Sequence, residues 1–198
     1  MKTDRPTTKI IAGKYKGKVL ELPSLEVTRS SKAMLKESLF NVLQFDIIDK
    51  IFIESFAGSG SIWLEAISCG AKRAYFIELD KNSYQILLRN CKSVDMEKCQ
   101  TVQGNTFVQT PLFIDFLKNS KDEIVLYVDP PFDYRDGMED IYEKSFSMIQ
   151  NIEVDNIYMV IVEHVSSLEV PEILGKFSLN KTKKFGKSAL SYYSYTQE

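Results

Sequence analysis

The segment Ile51-Phe52-Ile53-Glu54-Ser55-Phe56-Ala57-Gly58-Ser59-Gly60 decides the fold, because an apolar strand pattern runs directly into a glycine-containing turn. The following residues, Gly60–Cys69, have the pattern of a helix. Glycines at a strand-to-helix turn let the backbone approach a ligand closely and expose amide N–H groups at the start of the helix. The segment therefore predicts a site for a nucleoside-type ligand at the carboxyl end of a strand.

Strand and helix patterns continue to alternate after this segment. The further predicted strands are Ala74–Leu79, Gln100–Gln103, Ile124–Asp129 and Ile157–Glu163, and the predicted helices are Lys81–Val94, Leu112–Lys118 and Met138–Gln150. Such alternation implies parallel strands joined by right-handed crossovers, with helices on both faces of the sheet. The last segments, Ser178–Lys184 and Ala189–Thr196, read as a hairpin with Gly186 in its turn. We therefore expect an α/β, Rossmann-like fold with a mostly parallel sheet and an antiparallel carboxyl-terminal edge.

The first 45 residues have a different pattern. Two short strands are expected at Thr8–Ala12 and Gly17–Leu22, joined by a turn. A helix follows with Ser30 or Ser31 as its N-cap, and its apolar positions recur at helical spacing at Met34, Leu35, Leu39, Val42 and Leu43. We expect residues 1–45 to form an extension that faces the substrate and residues 46–198 to form the main domain.

The composition is that of an average globular protein, with 44% hydrophobic and 26% charged residues among 198. No apolar run approaches the roughly 18–20 residues that a membrane-spanning helix needs. Three cysteines without metal-type spacing indicate reduced thiols, and no cluster of metal ligands is evident. We expect a cytoplasmic protein, monomeric, with neither a membrane segment nor a bound metal.

The net charge of -2 hides an uneven distribution of charge. Residues 1–36 have a net charge of +6, residues 176–190 have +5, and residues 37–175 have -12. By itself this pattern is equally consistent with solvated lysines and with a nucleic-acid footprint. Given the motifs described below, we expect phosphate contacts from Lys14, Lys16, Lys18, Arg29, Lys32 and Lys36.

The predicted second strand ends in Glu78-Leu79-Asp80, and a carboxylate at this place, such as that of Glu78, can accept hydrogen bonds from ribose hydroxyls. A dinucleotide-binding loop would have a third glycine where this chain has the bulky Trp63. S-adenosylmethionine has no pyrophosphate, and its cationic groups suit acidic strand ends such as Glu54 and Asp129. The predicted cofactor-binding residues are Glu54, Phe56, Ala57, Gly58, Ser59, Gly60, Glu78, Leu79, Asn105, Thr106 and Asp129.

The predicted fourth strand runs into Asp129-Pro130-Pro131-Phe132. Two successive prolines remove two N–H donors and make the loop rigid. The loop then presents a carboxylate, a free carbonyl and an aromatic face, which together suit methyl transfer to the exocyclic amine of a base. The Asp129 carboxylate and the Pro130 carbonyl can each accept an N–H of that amine, and Phe132 can stack on the base. We therefore expect these four residues to form the catalytic loop.

Together these two motifs resemble those of the amino-methyltransferase superfamily. Three further stretches, Ile10–Leu20, Glu37–Asn41 and Gly186–Leu190, are similar to the RsmD-type 16S rRNA (guanine(966)-N(2))-methyltransferase family. The resemblance implies a class I methyltransferase fold, S-adenosylmethionine as cofactor, and N2-methylation of one guanine in 16S ribosomal RNA, within a small-subunit particle. This chain departs from the family pattern at Arg29-Ser30-Ser31, at Ala33-Met34, at Trp63 in place of glycine, and at Glu54 in place of aspartate.

Other readings remain open at this point. Tyr134 and Arg135 follow the catalytic loop and either contact the target guanine or belong to an ordinary exposed loop. A DNA adenine-N6 methyltransferase has both motifs but usually adds a target-recognition region, for which 198 residues leave no room. A non-catalytic RNA-binding ribosome-assembly factor could keep the same fold. A nicotinamide-dependent dehydrogenase is disfavoured by Trp63.

Overall fold

The computed structural model describes residues 6–23, 29–131 and 140–196, except for the side chains of residues 29–32. Within these ranges eight strands form one sheet in the order β5-β4-β3-β6-β7-β10-β9-β8. Its strands are β3 (Ile51–Ser55), β4 (Arg73–Glu78), β5 (Cys99–Gln103), β6 (Ile124–Val128), β7 (Ile157–Val165), β8 (Ile173–Leu174), β9 (Phe177–Phe185) and β10 (Ser188–Tyr195). Strands β3 to β7 are parallel, and β8, β9 and β10 pair antiparallel. The predicted sheet with an antiparallel carboxyl-terminal edge is confirmed.

Five helices cover the two faces of the sheet in the described part of the chain. They are α1 (Arg29–Leu43), α2 (Trp63–Ser68), α3 (Lys81–Val94), α4 (Thr106–Leu117) and α5 (Ile141–Gln150). Helices α1, α2 and α3 pack their apolar side chains on one face, and α4 and α5 pack theirs on the other. Strands β3 and β6 are buried along their whole length, which explains why they read as continuous apolar runs.

Helix α4 begins six residues before its predicted start at Leu112. The Asn105 side chain caps it, because its Oδ1 accepts a hydrogen bond from the N–H of Phe107 at 2.9 Å. Pro111 lies inside the helix and is exposed. A proline inside a helix removes one backbone hydrogen bond, so it normally indicates a boundary. The predicted start was therefore wrong, and the cap at Asn105 is the signal that locates the true one.

The amino-terminal hairpin, β1 (Thr7–Lys9) and β2 (Val19–Glu21), docks on α2. The N–H of Lys14 donates to the Ser68 carbonyl at 2.8 Å, and the Ser68 hydroxyl donates to the Ala12 carbonyl at 2.6 Å. Gly13 lies between these contacts with a φ of 76°. A Cβ at this position would lie 2.0 Å from the Ser68 carbonyl oxygen. Only glycine allows the hairpin to come this close to α2.

We expect Gly13→Ala to lower the free energy of unfolding by about 2–4 kcal/mol, because the added methyl group forces the hairpin away from α2. Gly17→Ala is the matched control: its φ is 87°, but a Cβ there meets no atom within 4 Å. The control therefore costs only the backbone strain, about 1–2 kcal/mol. Urea denaturation of both variants measures the difference. If both variants lost the same free energy of unfolding, the close approach of Gly13 to Ser68 would not contribute to stability.

Candidate functional site

The loop between β3 and α2 has three residues with left-handed backbone conformation. Phe56, Gly58 and Gly60 have φ values of 66°, 54° and 71°. A Cβ on Gly60 would lie 2.5 Å from Leu87, so this glycine is needed for packing between the loop and α3. A Cβ on Gly58 would meet no protein atom within 4 Å. The space beside Gly58 is therefore open to a ligand that approaches the backbone, as the sequence predicts for a nucleoside cofactor.

The Glu78 carboxylate joins this loop to the end of β4. Its Oε2 accepts a hydrogen bond from the N–H of Gly58 at 2.7 Å, and its Oε1 accepts one from the N–H of Asp80 at 2.7 Å. Burial raises the pKa of Glu78, while the N–H groups of Asp80 and Gly58 act in the opposite direction. Each oxygen keeps a lone pair for a further donor. The carboxylate is thus held beside Gly58, where ribose hydroxyls are expected.

The remaining residues of the loop are held by main-chain and side-chain contacts. The Ala57 N–H donates to the Ile77 carbonyl at 2.8 Å, and the Ser59 carbonyl accepts a hydrogen bond from Asn90 Nδ2 at 2.9 Å. The buried Asn90 also exchanges two hydrogen bonds with the backbone of Glu21 in β2, each at 2.9 Å. Sequence reasoning missed this residue, although a buried asparagine within an amphipathic helix is a signal for such a role.

Three further predicted cofactor-binding residues, Leu79, Asn105 and Thr106, follow the ends of the neighbouring strands β4 and β5. Leu79 is 59% exposed and offers an apolar surface at the end of β4. Asn105 is exposed at the start of α4, and Thr106 is buried in its first turn. The Phe107 ring packs edge-on against Phe56, with 5.7 Å between ring centroids. Phe107 was missed from the sequence because the start of α4 was placed after it.

The predicted catalytic loop starts beside the cofactor loop. The N–H of Asp129 donates to the carbonyl of Ser55, the last residue of β3, at 3.3 Å. Asp129 is partly exposed, Pro130 is buried and Pro131 is partly exposed. Phe132, Tyr134 and Arg135 lie outside the described residues. The structure therefore brings Asp129 and Pro130 next to the start of the glycine loop, at the carboxyl ends of two adjacent parallel strands.

Acidic groups are concentrated behind this corner. Tyr127 donates a hydrogen bond to Glu163 Oε2 at 2.6 Å, and both residues are completely buried. Burial raises the pKa of Tyr127, and the nearby carboxylates of Glu163, Asp129 and Glu54 raise it further. Glu54 is 3% exposed, so its carboxylate lies inside the protein behind the loop. This accumulation of negative charge fits a cationic cofactor such as S-adenosylmethionine.

The structure holds Lys14, Lys16 and Lys18, three of the residues that the sequence assigns to RNA, away from Asp129. Lys14, Lys16 and Lys18 lie in the turn that docks on Ser68, and Tyr15 in the same turn bonds Asp95 at 3.1 Å. Ser68 ends α2 and Asp95 follows α3, so this turn lies at the amino ends of β4 and β5, opposite the carboxyl ends that hold Asp129. Arg29 and Lys32 belong to the first turn of α1, and their side chains lie outside the described residues.

The prediction for Lys36 needs correction. Its side chain is 7% exposed, and its Nζ lies 2.6 Å from Oε2 of Glu65, which is completely buried. Glu65 also accepts hydrogen bonds from the N–H groups of Ile11 and Ala12, at 2.9 and 2.7 Å. Lys36 therefore joins α1 to α2 within the core and is not available to a phosphate group. Its partner, Glu65, is distant in the chain, so the sequence around Lys36 gives no indication of this ion pair.

A groove of about 680 Å³ lies between α4 and α5. It is lined by Asn105 and Phe107 at one end and by Val154 at the other, and it includes neither Gly58, Glu78 nor Asp129. This groove is therefore separate from Gly58, Glu78 and Asp129, although Asn105, one of the predicted cofactor-binding residues, lines it. The described residues contain no group of His, Cys, Asp and Glu that could hold a metal ion, and none of their helices is long and apolar enough to cross a membrane.

Acidification should weaken cofactor binding at a higher pH than an ordinary glutamate would cause. A raised pKa means that the folded protein binds the Glu78 proton more tightly than the unfolded chain does. This residue's contribution to stability is therefore greatest at low pH and is lost as the pH rises through its raised pKa. An ionised carboxylate accepts hydrogen bonds from ribose hydroxyls more strongly than a protonated one does, so we expect the affinity for the cofactor to fall as the pH decreases through that value.

Calorimetric titration with S-adenosylmethionine between pH 5 and 8 tests this expectation. The wild-type affinity should fall as the pH decreases toward the raised pKa of Glu78, while Glu78→Gln should bind roughly tenfold or more weakly at pH 8, because a charge-assisted hydrogen bond is lost. The variant's affinity should also change less with pH. If the affinity of both proteins depended on pH in the same way, a group other than Glu78 would cause the pH dependence.

Comparison with known proteins shows the family to which this chain belongs. The family model described as "Conserved hypothetical protein 95" matches residues 8–194. The ribosomal RNA small subunit methyltransferase D of Haemophilus influenzae is 36% identical over 64% of this chain and 64% of its own length. The Escherichia coli protein of the same name is 28% identical over 93% of this chain and 88% of its own length.

Solved structures agree as well. An Escherichia coli protein described as a candidate methyltransferase, yhhF, superposes with a TM-score of 0.70 at 28% identity, covering 98% of this chain and 100% of its own. A candidate methylase of Haemophilus influenzae superposes with a TM-score of 0.68 at 25% identity, covering 97% and 100% of the two chains. The predicted S-adenosylmethionine cofactor is confirmed by this family and fold. The chain belongs to the family of RsmD-type methyltransferases.

Proposed function

We propose that this protein transfers a methyl group from S-adenosylmethionine to the exocyclic N2 of a guanine in 16S ribosomal RNA. One observation carries the proposal: the Asp129 N–H is bonded to the Ser55 carbonyl at 3.3 Å. The predicted catalytic loop follows β6 and the glycine loop follows β3. Because these strands are neighbours, the two loops start next to each other. Displacement at a methyl group needs donor and acceptor held in line, and two loops that meet in this way support such positioning.

The chain's own residues suit the binding of the cofactor. S-adenosylmethionine supplies, when bound, a methyl group activated by a sulfonium centre. Gly58 leaves room for it beside the backbone, and Glu78 offers a carboxylate to the ribose. The buried acids Glu54 and Glu163, with Asp129, give this corner a negative potential that favours a cation. The other predicted cofactor contacts, at Leu79, Asn105 and Thr106, are part of the same proposal.

The target amine also suits the loop at Asp129. An exocyclic amine is a poor nucleophile because its lone pair is delocalised into the ring. We propose that the Asp129 carboxylate and the Pro130 carbonyl accept its two N–H groups and so direct the lone pair toward the methyl group. The same acceptors stabilise the positive charge that develops on nitrogen. Stacking of Phe132 on the base and contacts from Tyr134 and Arg135 are further proposals. These three residues lie outside the described residues.

The names of the relatives support ribosomal RNA as the substrate, and the guanine N2 position follows from the family resemblance. A small-subunit particle as substrate, a monomeric state and a cytoplasmic location belong to the same proposal. The division into residues 1–45 as a substrate-facing extension and residues 46–198 as the methyltransferase domain is also proposed. Ile10 and Leu20 of the hairpin are buried in the same apolar cluster as Trp63. The proposed extension therefore rests directly on the proposed domain.

The test incubates the protein with radiolabelled S-adenosylmethionine and small subunits from a strain that lacks the corresponding enzyme. The ribosomal RNA is then digested to nucleosides, and the labelled product is identified by chromatography. We expect labelled N2-methylguanosine. Genomic DNA, offered in a parallel reaction, should remain unlabelled.

The other products each select a different function. Label in N6-methyladenosine of DNA would replace the proposal with the DNA adenine methyltransferase alternative. Tight binding of S-adenosylmethionine and of ribosomal RNA without any transfer would favour the non-catalytic assembly factor. Either result contradicts the proposed activity.

A further inference from the structure

The carboxyl-terminal hairpin carries a group of lysines that the proposed site has not used. Lys183 and Lys184 lie in β9 and Lys187 lies in the turn before β10; we call these three the hairpin lysines. Lys184 and Lys187 are exposed, and Lys183 is partly exposed. None of the three forms an ion pair with a carboxylate of the described residues. By contrast, Lys176, just before β9, pairs with Asp155 at 3.1 Å.

The strand register places the hairpin lysines level with the catalytic loop. Val128 pairs with Val162, so Asp129 and Glu163 follow at the same level. Glu163 pairs with Leu190 of β10, which pairs with Lys183 of β9. Strands β6 and β9 are separated by three strand spacings, which makes the distance across the sheet from Asp129 to Lys183 about 14 Å.

The turn of the hairpin extends beyond Asp129 at the same edge of the sheet. The N–H of Ser166, just after β7, donates to the Lys187 carbonyl at 2.8 Å, and the Ser166 hydroxyl donates to the Gly186 carbonyl at 2.8 Å. These two bonds fix the turn to the carboxyl end of β7. Lys184 and Lys187 are therefore held at the same edge of the sheet as Asp129.

The lysines of the amino-terminal turn have the opposite position. Lys14, Lys16 and Lys18 are held at the amino ends of β4 and β5 through Ser68 and Asp95. Strand β4 has six residues and rises about 3.3 Å per residue, so this turn is roughly 15–20 Å from the carboxyl edge. Of the two basic groups, only the hairpin lysines lie at the edge that holds Asp129.

We propose that Lys183, Lys184 and Lys187 bind the phosphate backbone of the ribosomal RNA next to the target base; this inference rests on the proposed function. Unpaired ammonium groups on a rigid surface neutralise phosphates and release the counterions of the RNA. They position the RNA, and the loop at Asp129 acts on the base. Of the five lysines in residues 176–190, these three thus form the proposed substrate surface, whereas Lys176 is paired with Asp155.

Protection of an open sheet edge is the competing explanation. The short β8 covers only Phe177 and Ser178, so the rest of β9 has no outer partner strand among the described residues. Lysines on such an edge prevent pairing with another chain. This explanation covers Lys183 and Lys184 but not Lys187, which lies outside both strands. Lys187 therefore separates the two explanations.

The experiment measures equilibrium binding of 16S ribosomal RNA as a function of KCl concentration, and methyl transfer at 0.15 M KCl. The test protein is the triple variant Lys183→Gln, Lys184→Gln, Lys187→Gln. The matched control is Lys92→Gln, Lys118→Gln, Lys121→Gln, which removes the same charge from exposed positions at the opposite edge. A third protein carries Lys187→Gln alone, and a fourth carries Lys14→Gln, Lys16→Gln, Lys18→Gln.

We expect the hairpin triple variant to raise the KM for RNA roughly 10–100-fold, with kcat and the Kd for S-adenosylmethionine unchanged. Its log–log salt slope should decrease by about 2, and that of Lys187→Gln by about 0.7. The control triple should match the wild type. An unchanged KM for RNA and an unchanged salt slope in the hairpin triple variant would overturn the inference. The same changes in the control triple variant would also overturn it. So would a raised KM that appears only in the Lys14, Lys16 and Lys18 variant.

The proposed function and this inference can fail separately. Binding to RNA is measured without turnover, so the hairpin lysines are tested even if no methyl group is transferred. A wild-type protein that methylates 16S ribosomal RNA, with hairpin variants that bind it normally, removes only the inference. If the triple variant aggregates while Lys187→Gln binds RNA normally, edge protection is the correct explanation.

Discussion

Replacing Asp129 with asparagine should lower the rate of methyl transfer about 10²–10³-fold and leave the fold intact. Asparagine has nearly the same size and keeps one acceptor oxygen, so the main-chain bond to Ser55 and the position of the loop should persist. The negative charge is lost, and with it the stabilisation of the positive charge that develops on the attacking nitrogen. The asparagine NH₂ would also face the N–H of the target amine, donor against donor.

The rate is measured in a single turnover, with S-adenosylmethionine and RNA both saturating, so that weaker binding cannot imitate a loss of chemistry. The Kd for S-adenosylmethionine is measured separately by calorimetry. Asp115→Asn serves as the matched control, because Asp115 is an exposed carboxylate of α4 paired with Lys118. The control should keep the wild-type rate and melting temperature.

Two results would contradict this role of Asp129. An unchanged rate in Asp129→Asn would mean that the carboxylate does not act on the target amine. A large loss of cofactor affinity with a normal saturated rate would move Asp129 from the reaction to cofactor binding. The second outcome has a structural basis, because Asp129 also lies among the acids that suit the sulfonium.

Replacing Lys36 with methionine should lower the free energy of unfolding by about 3–5 kcal/mol. Methionine fills a similar volume but leaves the Glu65 carboxylate buried without its cation. Glu65 is completely buried, and among the described residues it then keeps the hydrogen bonds from the N–H groups of Ile11 and Ala12. The same change should therefore loosen the contact of the amino-terminal hairpin with α2.

The matched control is Lys72→Met. Lys72 lies 2.7 Å from Asp122, almost the same separation as the 2.6 Å between Lys36 and Glu65, but the Lys72 side chain is 53% exposed. An exposed pair contributes only about 0–1 kcal/mol, so this variant should unfold nearly as the wild type does. Denaturation in urea measures both, and equal losses would show that burial does not decide the strength of these pairs.

The same variant separates the structural role of Lys36 from the role that its sequence position suggests. If Lys36 contacted phosphate, Lys36→Met would raise the KM for RNA without changing stability. The buried ion pair predicts the reverse: stability falls, and the KM for RNA at a temperature where the variant is folded stays unchanged. A raised KM in a fully stable variant would restore the original prediction.

Most of the fold could be predicted, as could the meeting of the candidate site residues at one edge of the sheet, because both depend on local order along the chain. A parallel sheet brings the carboxyl ends of neighbouring strands to one edge, so residues that directly follow apolar strands converge there. Gly58, Glu78 and Asp129 all follow this rule, and the structure places them at that edge. The start of helix α4 was predicted wrongly because Pro111, which normally indicates the boundary of a helix, lies inside it.

The sequence by itself determined the order of strands and helices, the glycine loop and the Asp-Pro-Pro corner, since each depends on residues close together in the chain. Only the tertiary structure decided which lysines are exposed to solvent and which are buried in ion pairs. Lys36 is bound by a glutamate 29 positions away, Gly13 holds its turn against the far end of α2, and the hairpin register brings Lys183 level with Asp129. Burial and charge pairing depend on residues that are distant in the chain, and local periodicity carries no information about which of them will meet.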